Sequence, residues 1–338
     1  MKVYEVGTQK GVDSLRTAER DEPKAAAGQA VVKIHANSLN YRDYMVLNGW
    51  YGGPKPETLI PVSDGAGEVV AVGDGVSNVS VGDRVCISFF SKWMDGPFGP
   101  QYFGSDLGGG ADGTLAEFGA FPADALVKLP DDWSYADGAC LPVAGVTAWN
   151  CIMGAGAYKE GETVLLLGTG GVSIFGVQIG KAKGANVLIT SSSDDKLAKA
   201  KSLGADHGIN YKKAESWPKA VLEITGGKGA DVIVETGGPG SLEKSFEAAA
   251  FNGRIGLIGG LAGQAESPLN TMPLVGKNLS LRGVTCGSKK MLQDLIDTMV
   301  AAGEKPVIDK TFPFDAAADA FRHMESQAHL GKIVITHD

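Results

Sequence analysis

A glycine-rich turn lies between a short apolar run and a helical pattern. Residues 164–168 predict a buried strand, and residues 172–183 carry apolar side chains at helical spacing. Because the turn has no bulky side chains, a pyrophosphate can approach the backbone, and the helix offers unpaired N–H groups and a positive dipole end. We therefore predict a dinucleotide-binding site. Its pyrophosphate contacts are Gly168, Gly170, Gly171 and Val172.

The usual third glycine of such a turn is replaced by Ser173. A serine is small enough to permit close packing of the helix on the strand, so this departure does not exclude the site. The alternative is a glycine-rich turn in an ordinary α/β protein. A second strand predicted at residues 187–190 completes a strand–turn–helix–strand unit and favours the dinucleotide site.

The end of the second strand indicates which dinucleotide is bound. Sites that prefer NAD carry an acidic residue about 20 positions after the first glycine, where it binds the ribose hydroxyls. Here that position is Leu188, and the strand ends in a run of serines. Hydroxyl groups beside a lysine suit a 2′-phosphate, so we predict NADPH, with NADH as the less favoured cofactor. The residues that carry this prediction are Ser192, Ser193 and Lys196; the alternative for Lys196 is a solvated helix lysine.

The composition excludes several classes of protein. A chain of 338 residues is too long for one ordinary core and favours two domains, and 43% hydrophobic and 21% charged residues are typical of a globular protein. The net charge of -8 provides no basic surface for nucleic acid. The chain opens as an alternating strand without a signal peptide, and no apolar run is long enough to span a membrane. We expect a cytoplasmic protein without a nucleic-acid or membrane partner.

The cysteines support the same location. The four are Cys86, Cys140, Cys151 and Cys286, and they form no CxxC pair. We expect buried thiols in a reducing compartment.

Two kinds of periodicity divide the chain. Residues 1–125 alternate in short strands separated by glycine turns, which predicts a small barrel or sandwich. Residues 126–302 alternate strands with helices, which predicts a doubly wound parallel sheet. Residues 303–338 return to the first domain as strand, helix and strand. The long irregular stretch 89–113 is rich in aromatic residues, which either pack the loop on the barrel or line a pocket.

Further cofactor contacts follow from this topology. Ligands of parallel sheets lie at the carboxyl ends of the strands. Strands are predicted at residues 232–235 and 254–258, and the turn after each of them supplies candidates. The turn at residues 284–288 is a third. The candidates we select are Gly237, Ile258 and Gly259.

Several separate motifs occur in a recognisable order. They are Ser38-Leu39-Asn40-Tyr41-Arg42-Asp43, residues 61–67, 81–85 and 141–149, the glycine turn, and Gly331-Lys332-Ile333-Val334. Over nearly its full length the chain resembles the zinc-independent, quinone oxidoreductase-like branch of the medium-chain dehydrogenase/reductase superfamily. The resemblance implies an α/β protein with a GroES-like β-rich catalytic domain, residues 1–125 completed by 303–338, and a Rossmann domain at 126–302. It also implies a cleft between these domains and a homodimer.

The resemblance also bears on a metal. Zinc alcohol dehydrogenases of the superfamily bind catalytic zinc through cysteine and histidine at positions that fall here in residues 40–43 and near Ser63 and Asp64. Neither position carries Cys or His, and the five histidines of the chain are not spaced as a ligand pair on one face. We predict no zinc.

Without zinc, the charge that develops on a substrate oxygen must be stabilised by hydrogen-bond donors. Asn40 and Tyr51 match an asparagine and a tyrosine of quinone reductases and enoyl-thioester reductases. The resemblance implies that Tyr51 polarises the carbonyl or protonates the enolate, and that Asn40 orders the cleft. It adds Thr147 beside the nicotinamide and Tyr211 as a stacking or phosphate contact. The alternatives are an exposed turn tyrosine for Tyr51 and an ordinary helix threonine for Thr147.

The predicted function is therefore NADPH-dependent hydride transfer, without zinc, to a small hydrophobic quinone or α,β-unsaturated carbonyl. One alternative is an alcohol or aldehyde oxidoreductase of the same superfamily. Another is a non-catalytic NADPH-binding protein.

Overall fold

The computed structural model describes residues 1–261, 263 and 268–337. The chain forms two compact units. Unit 1 comprises Met1–Ala144, Gly287–Ile296 and Lys305–Asp338, and unit 2 comprises Gly145–Cys286 and Asp297–Glu304.

The secondary structure follows the chain from a β-rich beginning to an alternating α/β region. The first elements are strands β1 (Lys2–Glu5), β2 (Arg16–Glu19), β3 (Gln29–Leu39), β4 (Asp64–Val72), β5 (Arg84–Ile87), β6 (Phe118–Pro122) and β7 (Leu126–Lys128), with helices α1 (Tyr41–Leu47) and α2 (Tyr135–Ala139). The next are α3 (Val146–Trp149), β8 (Thr163–Leu166), α4 (Gly171–Ala182), β9 (Asn186–Ser191), α5 (Asp194–Ser202), β10 (His207–Asn210), α6 (Trp217–Ile224), β11 (Ala230–Glu235), α7 (Leu242–Ala248), β12 (Ala249–Leu257), α8 (Met272–Gly276) and β13 (Ser280–Gly283). The last are α9 (Lys289–Ala302), β14 (Ile308–Pro313), α10 (Ala317–Glu325) and β15 (Lys332–Thr336).

Unit 1 is built on one large sheet. Its strand order is β14-β15-β3-β4-β5-β7, and β6 also pairs with β3. The last strand of the chain lies antiparallel to β3, with Ile333 opposite Leu39 and Val334 opposite Ser38. This pairing brings the start of β15 next to the end of β3, and so places Lys332 close to the segment that begins at Leu39.

Unit 2 has a parallel sheet of six strands in the order β10-β9-β8-β11-β12-β13. Each pair of neighbours is parallel. Because β8 lies between β9 and β11, the strand order reverses direction beside β8, and ligands of such sheets bind at the carboxyl ends of the strands at this point. The predicted α/β fold, a β-rich domain with a doubly wound parallel sheet, is confirmed.

Glycines permit the close packing of α4 on this sheet. A Cβ on Gly176 would press on the side chain of Leu166, and one on Gly180 would press on Val187. Ser173 is buried at the start of the helix and donates its hydroxyl to Leu167 O at 2.7 Å. A serine is therefore accommodated at the usual third glycine position, because its hydroxyl is satisfied by the strand.

The boundary between the units differs from the expected one near residue 125. Strand β7 pairs with β5, with Cys86 opposite Val127, so residues 126–144 belong to unit 1. The motif residues 141–149 lead into α3. This helix lies between π-helical turns at Leu141–Gly145 and Asn150–Ala155. Strands β2 and β7 were not predicted, because each is too short to show a clear alternation of apolar residues.

The aromatic stretch at residues 89–113 packs largely on itself. Trp93 is 3% exposed, and its ring lies 5.0 Å from Phe98 and 5.8 Å from Tyr102. Phe103 packs edge-to-face with Phe98 at a ring distance of 5.4 Å, and it is 73% exposed. The loop is thus a small aromatic cluster that presents one open face. Of the helices in the described residues, none combines the length and the apolar character needed to cross a membrane.

Candidate active site

The end of β3 leads through Asn40 into α1. Both ends of the Asn40 side-chain amide are engaged within unit 1. Its Nδ2 donates to Asp64 Oδ2 at 2.8 Å and to Ser63 Oγ at 3.2 Å, and its Oδ1 accepts from Lys332 Nζ at 2.6 Å. Since a carboxylate can only accept and an ammonium can only donate, one orientation of the amide satisfies both partners. Asn40 is therefore held in a single position.

Asp43 ties the same segment to the chain before β4. Its carboxylate accepts from Asn40 N at 2.8 Å and from the backbone N and Oγ of Ser63 at 3.1 and 3.0 Å. Arg42 provides the counter-charge, with Nη1 3.0 Å from Asp43 Oδ1. Asp43 is completely buried and holds the loop in place.

Asp64 and Lys332 are a second buried pair. Asp64 is 0% exposed, Lys332 is 2% exposed, and Lys332 Nζ lies 3.7 Å from Asp64 Oδ2. Burial raises the pKa of Asp64 from 3.8 to about 7, although the Lys332 ammonium and the Asn40 amide act in the opposite direction. The cause is desolvation, because a buried carboxyl favours its neutral form.

Tyr51 lies beside the guanidinium of Arg42. The distance from Arg42 Cζ to the centre of the Tyr51 ring is 4.4 Å, a cation–π contact, and the ring of Phe89 lies 5.0 Å from the same atom. Burial opposes the charge of Arg42, but Asp43 and the other neighbouring groups outweigh it and raise the pKa of the guanidinium. Tyr51 itself is half-buried against the core of unit 1, so the alternative of a freely exposed turn tyrosine does not apply.

Arg42 also anchors the aromatic loop. It donates to Leu107 O at 2.9 Å and pairs with Asp106 Oδ2 at 3.3 Å. One buried side chain therefore links Tyr51 to residues 89–113.

In unit 2, the glycine turn leads into the N-terminus of α4. A Cβ added to Gly168 or Gly170 would enter open space, with no heavy atom within 4 Å. Gly168 has φ +75°, a conformation that favours glycine, and its N–H donates to Thr190 Oγ1 at 3.1 Å. Gly171 and Val172 form the first turn of the helix, whose N–H groups lack intrahelical partners. The turn is a cradle that a pyrophosphate fits.

The end of β9 holds the residues predicted to select the nucleotide. Ser193 caps α5, because its Oγ accepts from Lys196 N at 3.4 Å, so this hydroxyl has a structural role. Ser192 is exposed, and Tyr211 is 45% exposed after β10. Asp194 accepts from Asn210 at 2.6 Å and pairs with Lys213. The acidic group nearest to the strand end is thus already paired.

A buried glutamate at the end of β11 was missed by the sequence analysis. Glu235 is 0% exposed, and its Oε1 accepts from Gly237 N at 2.7 Å, Gly238 N at 3.0 Å and Ser241 Oγ at 2.7 Å. Its other oxygen accepts from Ser245 Oγ. The signal available in the sequence was an acid that ends an apolar strand just before two glycines.

The turns after β11 and β12 are held against each other. A Cβ on Gly238 would collide with Gly259 O, and Ile258 N donates to Glu235 O at 3.0 Å. Gly237, Ile258 and Gly259 therefore lie along the same carboxyl edge of the sheet as the glycine turn. Thr147 is 3% exposed on α3. The predicted residues are divided between the units: Asn40 and Tyr51 lie in unit 1 and the others in unit 2.

The sequence also matches known proteins. Residues 26–131 match the family described as alcohol dehydrogenase GroES-like domain, and residues 171–301 match zinc-binding dehydrogenase. A zinc-type alcohol dehydrogenase-like protein from Schizosaccharomyces pombe is 42% identical over 97% of this chain and 96% of its own length. The chain belongs to the medium-chain dehydrogenase/reductase superfamily. A quinone oxidoreductase from Rattus norvegicus is 29% identical over 93% of this chain and 90% of its own length.

Solved structures of superfamily members agree with the fold. An NAD-dependent alcohol dehydrogenase has a TM-score of 0.91 at 32% identity, and the alignment covers 99% of both chains. A mycobacterial protein complexed with NADPH has a TM-score of 0.83 at 25% identity, again over 99% of both chains. Relatives thus include proteins described with either nicotinamide cofactor.

The residues of unit 2 fit a nicotinamide dinucleotide. The open space over Gly168 and Gly170 and the N-terminus of α4 would hold its pyrophosphate.

The residues of unit 1 do not fit zinc. At the positions where zinc relatives supply ligands, this chain has Asn40, Ser63 and Asp64, and the Asn40 oxygen already accepts from the Lys332 ammonium. Across the described ranges, no three His, Cys, Asp or Glu side chains are grouped as metal ligands. An ammonium, an amide already bonded to it and a single carboxylate are not a zinc donor set.

The raised pKa of Asp64 predicts a pH-dependent stability. Between about pH 4 and 7 the folded chain keeps a proton that the unfolded chain releases, so this residue lowers the free energy of unfolding as the pH rises. In Asp64→Asn that dependence is absent. We expect the melting temperature of Asp64→Asn, relative to that of the wild type, to rise by ~5 °C between pH 4 and 8.

Differential scanning fluorimetry across this pH range measures the effect. Asp83→Asn is the control, because Asp83 is paired with Lys128 near the surface and its pKa is lowered. The control should show no such rise. A pH-independent difference for Asp64→Asn would contradict the raised pKa.

Proposed function

We propose that this chain is an NADPH-dependent oxidoreductase that reduces a quinone or an α,β-unsaturated carbonyl without a metal. The observation that carries the proposal is the placement of Tyr51 over the Arg42 guanidinium, in a unit whose buried groups do not fit zinc. The coarser assignment, an oxidoreductase of the medium-chain superfamily, rests on the sequence relatives.

When bound in the cradle of the glycine turn, NADPH would supply a hydride to the acceptor carbon. The acceptor oxygen then gains negative charge, which needs a hydrogen-bond donor and positive charge nearby. Tyr51 provides the hydroxyl, and Arg42 provides a permanent cation beside its ring. In the proposed reaction the Tyr51 O–H bond breaks as its proton passes to the acceptor oxygen. The tyrosinate is stabilised by the Arg42 guanidinium and regains a proton from solvent, while Asn40 is a fixed part of the surrounding wall.

The acceptor class follows from the aromatic loop. Phe98, Tyr102 and Phe103 form a cluster of tilted and edge-to-face rings, and Phe103 exposes its face to solvent. An aromatic face of this kind binds a flat, apolar molecule by stacking. Quinones and conjugated enones are flat, and Arg42 ties this loop to Tyr51.

The preference for NADPH rests on the end of β9. Ser192, Lys196 and Tyr211 follow the parallel strands there, and no acid occupies the position that binds ribose hydroxyls in NAD enzymes. The paired state of Asp194 supports the same preference, because its charge is balanced by Lys213. The NADPH complex of the mycobacterial relative agrees with it.

An alcohol or aldehyde oxidoreductase is the second candidate. The names of the Schizosaccharomyces pombe relative and of the NAD-dependent structure favour it. Alcohol oxidation in that class relies on a zinc-bound oxygen, which the donors of unit 1 do not fit.

A homodimer is proposed as the assembly. Strand β13 is the edge of the unit 2 sheet, pairs with β12 on one side, and has all four residues exposed. An exposed edge strand is a template for pairing with another chain. A second β13, antiparallel to the first, would continue the sheet.

The first prediction concerns Tyr51. In chelator-treated protein, NADPH should be oxidised by quinones or enones faster than NADH, and Tyr51→Phe should lower kcat/KM by about 100-fold. The control is Tyr44→Phe, which removes a hydroxyl that donates to Glu325 at the surface. Loss of NADPH absorbance at 340 nm measures the rates. Turnover confined to alcohols or aldehydes and abolished by the chelator would overturn the proposal, and NADPH binding without any turnover would indicate a non-catalytic protein.

The second prediction concerns the pyrophosphate cradle. Gly170 caps α4 with φ -77°, so Gly170→Val introduces bulk without backbone strain. The side chain would fill the space of the phosphates, and the Kd for NADPH should rise at least about tenfold. Gly276→Val is the control, because its Cβ also meets open space. Equal affinities of the two variants in a fluorescence titration would place the cofactor elsewhere.

The third prediction concerns the assembly. Leu281→Asp places a carboxylate on the exposed edge strand, and in a twofold pairing the two charges would repel each other. We expect this variant to be monomeric by light scattering after gel filtration, while the wild type is a dimer. Val300→Asp changes an exposed apolar residue of α9 and serves as the control. A wild-type monomer, or a dimer that survives Leu281→Asp, would contradict the edge pairing.

A further inference from the structure

A lysine side chain ends in the interior of unit 1. Lys332 begins β15 and is 2% exposed, and its Nζ donates to Leu39 O at 2.8 Å and to Asn40 Oδ1 at 2.6 Å. Lysine is almost never fully buried unless its charge is paired. The position is built by the β15–β3 pairing, which places Ile333 opposite Leu39.

The carboxylate that needs this charge is Asp64. Asp64 is 0% exposed, and its Oδ2 lies 3.7 Å from Lys332 Nζ. Its Oδ1 accepts no hydrogen bond of normal geometry from the described residues. The other buried cation, Arg42, is engaged by Asp43 and Asp106. Each buried acid in this region therefore has its own cation.

The Asn40 amide lies between the members of the pair. Its oxygen faces the ammonium and its nitrogen faces the carboxylate, so the two charges together fix its orientation. An apolar side chain in place of Lys332 would leave Asn40 Oδ1 without the ammonium donor. The amide would then be free to rotate.

Asn40 and Asp64 lie in the segments where the resemblance predicts the metal ligands of zinc enzymes. We propose that the Lys332 ammonium is an internal cation that stands in place of the metal, balancing Asp64 and positioning Asn40. It is a positioning residue, because it acts through Asn40 and is too deeply buried to contact a substrate.

Charge compensation is tested by stability. Removing one member of a buried pair leaves an uncompensated charge, whereas replacing both members by neutral groups costs much less. Lys332→Met should lower the melting temperature by ~10 °C, and Lys332→Met combined with Asp64→Asn should recover most of that loss. Lys128→Met, which breaks the exposed pair with Asp83, should change it by less than ~3 °C. Equal melting temperatures of the single and double variants would overturn the compensation.

Metal exclusion is tested by elemental analysis. Wild-type protein incubated with excess zinc and then desalted should retain less than about a tenth of an equivalent, because the Lys332 ammonium repels a metal ion and occupies the Asn40 oxygen. Stoichiometric zinc that Asp64→Asn abolishes would place a metal at this site and overturn the proposal.

Positioning is tested by a double-mutant cycle in kcat/KM, and this part rests on the proposed reductase activity. The variant that combines Lys332→Met with Asp64→Asn is expected to be stable. A loss of its kcat/KM therefore reports the position of Asn40 rather than folding. We expect kcat/KM of this variant to fall about tenfold, as it does in Asn40→Ala. Adding Asn40→Ala to the variant should lower kcat/KM no further. Independent, multiplicative losses would show that Lys332 does not act through Asn40. A wild type without reductase activity would instead overturn the proposed function and leave the stability and zinc results unaffected.

Discussion

Two buried ion pairs determine the arrangement of the segment between β3 and β4. Arg42 with Asp43 and Lys332 with Asp64 place four ionisable groups in the interior, and each charge left unpaired would cost several kcal/mol. The pairs are tolerated because hydrogen bonds complete them. Asp43 takes donors from Asn40 and Ser63, while Lys332 donates to two oxygens at the end of β3. The end of β3, the start of α1 and the start of β15 are joined by these bonds.

Unit 2 balances a buried carboxylate in a different way. Glu235 is surrounded by neutral donors, from the backbone of Gly237 and Gly238 and from the hydroxyls of Ser241 and Ser245. Hydrogen bonds of this kind satisfy the oxygens of a buried carboxylate without a second buried charge. Because Gly238 also touches the turn that contains Gly259, one glutamate holds two of the turns predicted to contact the cofactor.

The sequence predicted the elements whose periodicity is local. The strand predicted at residues 187–190 lies within β9, and the helix predicted after the glycine turn differs from α4 by one residue at each end. The unit boundary was misplaced because β7 is three residues long and is defined by its distant partner β5. Charges inside apolar strands were visible at Asp64 and Lys332, but their pairing joins residues far apart in the chain. No local pattern reports such a contact.

The same limit applies to the site. Gly168 and Gly170 could be selected because the turn chemistry is local, whereas the roles of Asn40 and Tyr51 came from a resemblance and depend on Arg42, which the sequence analysis assigned no role. Ser193 was selected for its hydroxyl, and the structure uses that hydroxyl as a helix cap. A side chain that can serve both the fold and a ligand cannot be assigned by residue type alone.

The nature of the internal cation restricts the chemistry open to this chain. A catalytic zinc keeps an open position through which it polarises the substrate oxygen. The Lys332 ammonium has no such position, because it is 2% exposed and its N–H groups face Leu39 O, Asn40 Oδ1 and Asp64. It can balance a charge and orient an amide, but it cannot reach a substrate. In the proposed reaction another donor polarises the acceptor, and we assign this role to the hydroxyl of Tyr51, whose ring centre lies 4.4 Å from Arg42 Cζ.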